Sequence, residues 1–379
     1  MRNQETTTPR AVDSRVLMLG CCTEFVYCGA IYDCDSSMHD PKYRNLMSKL
    51  HKPSIPVLSL FSGAGGLDYG FEQAGFETVL AIDNNRAATA TFNANFAGSV
   101  ARNEDLSAVP PATIVDWLTD RNVAPRGIIG GPPCQGFSVG NTKARSDDPR
   151  NQLPFRYCDI LEALKRKFDI EFFVFENVLG LRSPKHRKRL AEIVARFEQA
   201  GFRVAQGEVN AVRFGVAQNR RRLFLVGINK RLHSEADFQF PSGTDDVRTV
   251  RQVISNLPDP VYRRRGLVAD DIDYHPNHWT SPPCSTKFEL QTFGDGRSFR
   301  KLDWDTPSWT VAYGNREIHI HPSGSRRLSI LEAMLLQSFP KKFVLAGNFC
   351  EQVTQVSNAV PPRVARAVAS AIRKQLFDA

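Results

Sequence analysis

The sequence predicts an α/β protein built on a doubly wound, mainly parallel sheet, with a small irregular lobe attached. Three observations predict it. Short, strongly apolar runs recur along the first half of the chain, segments of helical periodicity separate them, and after residue 228 the rhythm stops. Strands that are apolar on both faces need helices on both faces, which is the arrangement of parallel sheets.

The elements follow in order. PVLSLF (56–61) reads as a first strand ended by glycines, and Leu67, Phe71 and Ala74 then recur at helical spacing. ETVLAID (77–83) is a second strand, with a helix over NRAATATFNANF. GIIGG (127–131) and IEFFVFENV (170–178) are two more, separated by a helix marked by Phe155, Cys158, Leu161, Leu164 and Phe168. Leu190, Ile193, Val194 and Phe197 mark a further helix, and RRLFLVGI (221–228) a further strand. Residues 229–325 are rich in Pro, Gly, Arg and aromatics and are broken by PSG, LPDP, HPNH and SPP. A short connecting helix is expected near Val250–Leu257. Helical periodicity returns at RRLSILEAMLLQSFP, where Ser329 and Glu332 have the spacing of a capping box. A last helix follows Pro361 and Pro362, with Val364, Val368, Ile372 and Leu376 on one face. The expected divisions are an N-terminal extension (1–53), the α/β domain (54–228), the small lobe (229–325) and a C-terminal part (326–379).

With 379 residues, 42% of them hydrophobic, the chain can bury a substantial core. A net charge of +9 favours a polyanionic partner, and nucleic acid is the leading candidate. No run approaches the ~20 apolar residues of a membrane span, and MRNQETTTPR lacks the core of a signal peptide, so a cytoplasmic protein with no membrane partner is expected. Cys21, Cys22, Cys28 and Cys34 crowd the N-terminal extension without the C-x2-C knuckles of a structural zinc site. No metal is expected, although His39 lies close by in sequence.

Ligands of doubly wound sheets bind beyond the carboxyl ends of the strands, so the residues after each strand carry the chemistry. The turn FSGAGGLDYG has glycines at 63, 65 and 66 that let a ligand approach the backbone at a helix start. Taken alone it also fits a packing turn. Asp83, at the end of the next strand, stands where a carboxylate accepts from ribose hydroxyls, which points to an adenosine. In GGPPCQGFS, Cys134 sits among Pro, Gln, Gly and Ser, a loop and not a core strand, so its thiol should reach the cleft. Glu176 follows FFVF into the same cleft, where a carboxyl beside a nucleophile suggests hydrogen bonding or proton donation. Elsewhere a glutamate is by default a surface residue. In QNRRR (218–222), alternation puts Arg220 and Arg222 on one face and Arg221 on the other. As a charge run it equally fits a solvated or phosphate-binding surface.

Together FSGAGGLDYG, GGPPCQGFS, ENV, QNRRR, RRLSILEAMLLQSFP and QVSNAVPP resemble the ordered motifs of the cytosine-5 DNA methyltransferases, over residues 56–379. The resemblance implies a class I, Rossmann-like methyltransferase fold and S-adenosylmethionine as methyl donor. It implies that Cys134 attacks carbon 6 of a flipped cytosine, that Glu176 serves N3, and that Arg220 and Arg222 complete the pocket. On the cofactor side it implies Phe61, Gly63, Gly65, Asp83, Asp105, Leu106, Pro133 and Asn358. Gln135, Ser138, Arg263, Arg264, Arg265 and Arg297 would contact DNA, and His278 and Trp279 would reach into a groove. The partner implied is double-stranded DNA, bound by a monomer in a bacterial or phage restriction–modification system whose cognate restriction endonuclease acts separately. Three alternatives stand beside this reading: a tRNA methyltransferase of the same fold, a catalytically silent DNA-binding regulator, and a metal or redox protein built on the N-terminal cysteines.

Overall fold

The computed structural model describes residues 54–96, 98, 101–133, 149–294, 299–310 and 319–378, together with three short antiparallel strands, Leu17–Met18, Glu24–Tyr27 and Ala30–Asp33. Contacts divide the chain into Met1–Pro53 and Ser54–Ala379. The N-terminal cysteines and His39 lie outside the residues whose side chains are described.

Seven strands make the main sheet of the second unit: β1 (Ile55–Leu60), β2 (Phe76–Asp83), β3 (Ala101–Asn103), β4 (Gly127–Gly130), β5 (Phe172–Val178), β6 (Phe202–Asn210) and β7 (Arg221–Asn229). Their order is β3-β2-β1-β4-β5-β7-β6. The five from β3 to β5 are parallel, whereas β7 runs antiparallel to both β5 and β6. Parallel pairing needs a crossover of about a dozen residues or more. The β6–β7 link, residues 211–220, holds only one 3-10 turn and a two-residue strand, so those two strands pair as a long hairpin.

Nine helices frame this sheet among the described residues: α1 (Gly66–Gln73), α2 (Arg86–Asn95), α3 (Pro111–Asp120), α4 (Leu153–Lys165), α5 (Arg187–Gln199), α6 (Val250–Ile254), α7 (Ile330–Leu336), α8 (Phe349–Asn358) and α9 (Pro362–Leu376), besides a single turn at Thr286–Glu289. Alternation along β5 sends Phe173 and Phe175 into a core with Tyr157, Leu161 and Phe197. It sends Phe172 and Val174 to the other face, against Val364, Val368 and Ile372 of α9. Each such side chain contributes about 1.5–3 kcal/mol when fully buried. The α9 helix lies close on α1 because Gly70 has no side chain, and a Cβ there would meet Ala365 Cβ at 2.4 Å. That contact draws the last fifteen-residue helix back onto the domain that holds the first motif.

The described residues between β7 and α7 are largely irregular, with a two-residue strand pair at Val261–Tyr262 with Trp279–Thr280, and Ser308–Trp309 pairs with Gln218–Asn219 of the β6–β7 link. Here one expectation is corrected. His278 and Trp279 do not reach outward: His278 is buried with its ring nitrogens 3.0 Å from Ser329 Oγ and 2.8 Å from the Pro258 carbonyl. The Trp279 indole N–H donates to Gln352 Oε1 at 2.8 Å and the ring packs edge-on against Phe349. Buried polar groups need partners, and these two find theirs in the C-terminal part of the chain.

Candidate functional site

The turn after β1 carries the first half of the site. Phe61, Gly63 and Gly65 all have positive φ, at 54°, 54° and 84°. For the two glycines this costs little, while at Phe61 the left-handed conformation costs about 1–2 kcal/mol. Gly65 is also fixed by contact, since a Cβ would lie 2.5 Å from the Phe96 ring. Gly63 differs, because a Cβ there meets nothing within 4 Å. That face of the turn is open.

Asp83 closes the turn at the carboxyl end of β2. Its Oδ2 accepts from the Gly63 N–H and its Oδ1 from the Asn85 N–H, each at 2.8 Å. Burial pushes the carboxyl's pKa up, and the two N–H donors oppose that shift. Each oxygen keeps a lone pair, which suits a cis-diol. The neighbouring Ser62 hydroxyl is buried without a partner. Beyond β3, Asp105 is exposed with Oδ1 held by the Ser107 N–H and hydroxyl, whereas the Leu106 side chain is turned into the core. Asn358 is the exposed last residue of α8. Two residues on, the Val360 carbonyl lies against Gly66, at 2.4 Å from where a Cβ would stand.

The second half sits at the ends of β4, β5 and β7. Glu176 is 8% exposed, and its Oε1 lies 3.2 Å from Arg222 Nε in an ion pair without accepting an aligned hydrogen bond. Burial raises its pKa, while the charges of Arg222 and then Arg220 pull it down. Gly131 leaves room beside it: a Cβ would come within 2.9 Å of Glu176 Oε2 and displace that oxygen. Asn177 Nδ2 donates to the Pro132 carbonyl at 3.2 Å, tying the ENV segment to the prolines of GGPPC. Pro133 is exposed; Cys134, Gln135 and Ser138 lie outside the described residues, as does Arg297.

The arginines of QNRRR separate by role. Arg221 is exposed and pairs with Glu208, and Arg222 faces Glu176. Arg220, 2% exposed, turns instead to the end of α8, donating to the carbonyls of Ser357 at 3.0 Å and Asn358 at 3.5 Å. In the irregular segment after β7, Arg263, Arg264 and Arg265 are exposed, the first with its guanidinium 5.3 Å from the Phe349 ring centre. Gly131, Asn177 and the two α8 carbonyls escaped the sequence reading. ENV and the doubled glycine flagged the first two, but nothing local flags the carbonyls.

The family model for C-5 cytosine-specific DNA methylases matches residues 55–374. The chain belongs to this family. Among its relatives, the type II methyltransferase M.MthTI of Methanothermobacter thermautotrophicus is 31% identical over 347 residues, covering 85% of this chain and 98% of the relative. M1.HphI of Haemophilus parahaemolyticus is 33% identical over 341 residues, covering 85% and 87%. Among solved structures, a prophage-encoded protein of E. coli described as a DNA modification methyltransferase aligns with TM-score 0.69 and 25% identity over 85% of this chain and 99% of that one. Spodoptera frugiperda DNMT2 shares the fold, with TM-score 0.59 and 19% identity over 86% and 100%. The cytosine-5 methylase fold expected from the sequence is thus present, and its methyl donor is S-adenosylmethionine. The open face at Gly63, the orphaned Ser62 hydroxyl and the Asp83 carboxylate fit the adenosine end of that cofactor.

Proposed function

We propose that this methylase modifies carbon 5 of one cytosine within a short specific site of duplex DNA, through a covalent bond to Cys134. The observation that carries the reading is the buried Glu176, its pKa raised by burial, held between Arg222 and Gly131 at the base of the turn that leads into Cys134. A cytosine inside the stack is unreachable, so the base is turned out of the duplex into this cleft. The Cys134 thiolate forms a bond to carbon 6 while Glu176 gives a proton or hydrogen bond to N3, which moves the electron pair to carbon 5. S-adenosylmethionine, when bound, supplies the methyl group to that carbon. Loss of the carbon-5 proton to a base then returns the pair to the ring and expels Cys134. Arg222 holds Glu176 in place and contacts the cytosine carbonyl. Asp83 takes the ribose, with Phe61, Gly63, Gly65, Asp105, Leu106, Pro133 and Asn358 around the cofactor.

Gln135, Ser138, Arg263, Arg264, Arg265 and Arg297 serve the DNA, in a recognition lobe spanning residues 229–325. The setting we infer is a cytoplasmic, monomeric modification enzyme whose cognate restriction endonuclease is a separate protein. The type II names of the relatives support it. Bisulfite sequencing of DNA from cells expressing the protein tests substrate and site together. One consistently methylated short sequence is expected, whereas methyl transfer to tRNA alone would overturn the reading. Duplexes carrying 5-fluorocytosine at the target should trap a covalent complex that Cys134→Ser abolishes.

A further inference from the structure

Arg248, Arg363 and Arg366 line one groove of about 370 Å³ whose floor includes Tyr69 and Phe339. It opens between α1, α6, the end of α7 and the start of α9. No carboxylate lines it, and none of the three arginines forms an ion pair among the described residues. Arg363 is fixed in place, since its Nη1 donates to the Gly215 carbonyl at 2.9 Å and its own N–H to Ser338 Oγ at 3.2 Å. Burial, and then the charges of Arg248 and Arg366, push the Arg363 pKa down. Like charges held together without a counter-charge repel, and an anion between them reverses the sign of that energy.

We propose that this groove is a phosphate-binding site, separate from the cytosine and cofactor positions. Two chemical features favour phosphate. Guanidinium forks bind its oxygens in pairs, and three of them match the multiple charge of a phosphate group better than the single charge of a carboxylate. Gln252, whose Oε1 accepts the Thr249 N–H, keeps its amide NH2 to donate. The phosphate comes either from a small phosphorylated compound or from the DNA backbone outside the target site.

Calorimetry at low salt with inorganic pyrophosphate, and fluorescence anisotropy with a target duplex extended on both flanks, distinguish the two sources. Each is run on the wild type, on the Arg248→Ser/Arg366→Ser variant and on Lys230→Ser/Lys374→Ser, which loses the same charge elsewhere. An affinity loss of about tenfold or more is expected in the arginine variant beyond that in the lysine variant, the size of one or more lost charge-assisted hydrogen bonds. Loss with pyrophosphate assigns the site to a small compound, and loss with the duplex alone to the backbone. Equal affinities in the two variants for both probes would overturn the proposal. Neither readout depends on methyl transfer.

Discussion

Arg220 binds the carbonyl of Ser357, 137 residues away in the chain, at 3.0 Å, and so joins the strand beside Glu176 to the segment beside the cofactor turn. Two residues past Asn358 that segment lies against Gly66. Arg220→Lys shortens the side chain and replaces a planar fork by a point charge that serves fewer carbonyls. The expected outcome is a rise in KM for S-adenosylmethionine of about tenfold or more, the size of a lost charge-assisted hydrogen bond. Initial rates at varied cofactor concentration check it. A fall in kcat with KM unchanged would show that Arg220 serves the cytosine and not the cofactor side.

Glu176 sets a pH limb. Burial raises its pKa, so the carboxyl keeps its proton to higher pH than an ordinary glutamate. Donation to N3 needs that proton. The contribution to rate is therefore full below the raised pKa and declines as pH climbs through it. Glu176→Gln keeps the shape but has no acidic proton, and should lower single-turnover methyl transfer by about 10²–10⁴-fold, the usual worth of a general acid. It should also remove the alkaline limb. A variant profile parallel to the wild type would assign that limb to another group.

Asp68 links stability to pH. It is buried on α1 with Oδ1 3.1 Å from Thr78 Oγ1 and no well-aligned hydrogen bond to Oδ2. Burial, against weaker help from Ser59 and Thr78, raises its pKa from 3.8 to about 6. The folded state therefore binds this proton more tightly than the unfolded state. The stability it contributes is fully present below pH 3.8 and is lost as pH rises through about 6. A shift of this size corresponds to about 3 kcal/mol. Asp68→Asn removes the titration and should raise the urea midpoint at pH 8 relative to the wild type. Equal midpoints there would mean that the carboxylate is better satisfied than its surroundings indicate.

Which parts of this site a linear reading can reach follows from range. The turn glycines, Asp83 and Glu176 stand at strand ends, and strand ends are marked by the local switch from apolar to polar residues. Alternation fixes that Arg220 and Arg222 share a face, but not that Arg220 continues to Ser357. The antiparallel insertion of β7 is equally silent, because β6 is an edge strand with a mostly half-exposed pattern that lacks a strong apolar run. His278 and Trp279 look like surface residues amid HPNHW, yet their partners Ser329 and Gln352 lie 51 and 73 positions away. Ser329 and Glu332 were legible because a capping box is complete within four residues.

That box carries the last prediction. Glu332 is fully buried, accepts the Ser329 N–H at 2.6 Å, and takes both Nη groups of Arg326 at 2.9 Å in a bidentate pair. Arg326 is itself buried, so each charge depends on the other. Removing one partner strands a charge in a low-dielectric site, which costs about 3–5 kcal/mol, whereas replacing both by apolar residues of similar volume is often nearly neutral. Glu332→Gln should therefore lower the urea midpoint sharply. The Arg326→Met/Glu332→Met double variant loses the pair and the box contact but strands no charge, so it should be more stable than Glu332→Gln. If the double variant proves the less stable, the pair stabilises the fold on its own account. The contact of His321 Nε2 with Glu332 Oε1, at 3.9 Å, would then be the next place to look for its support.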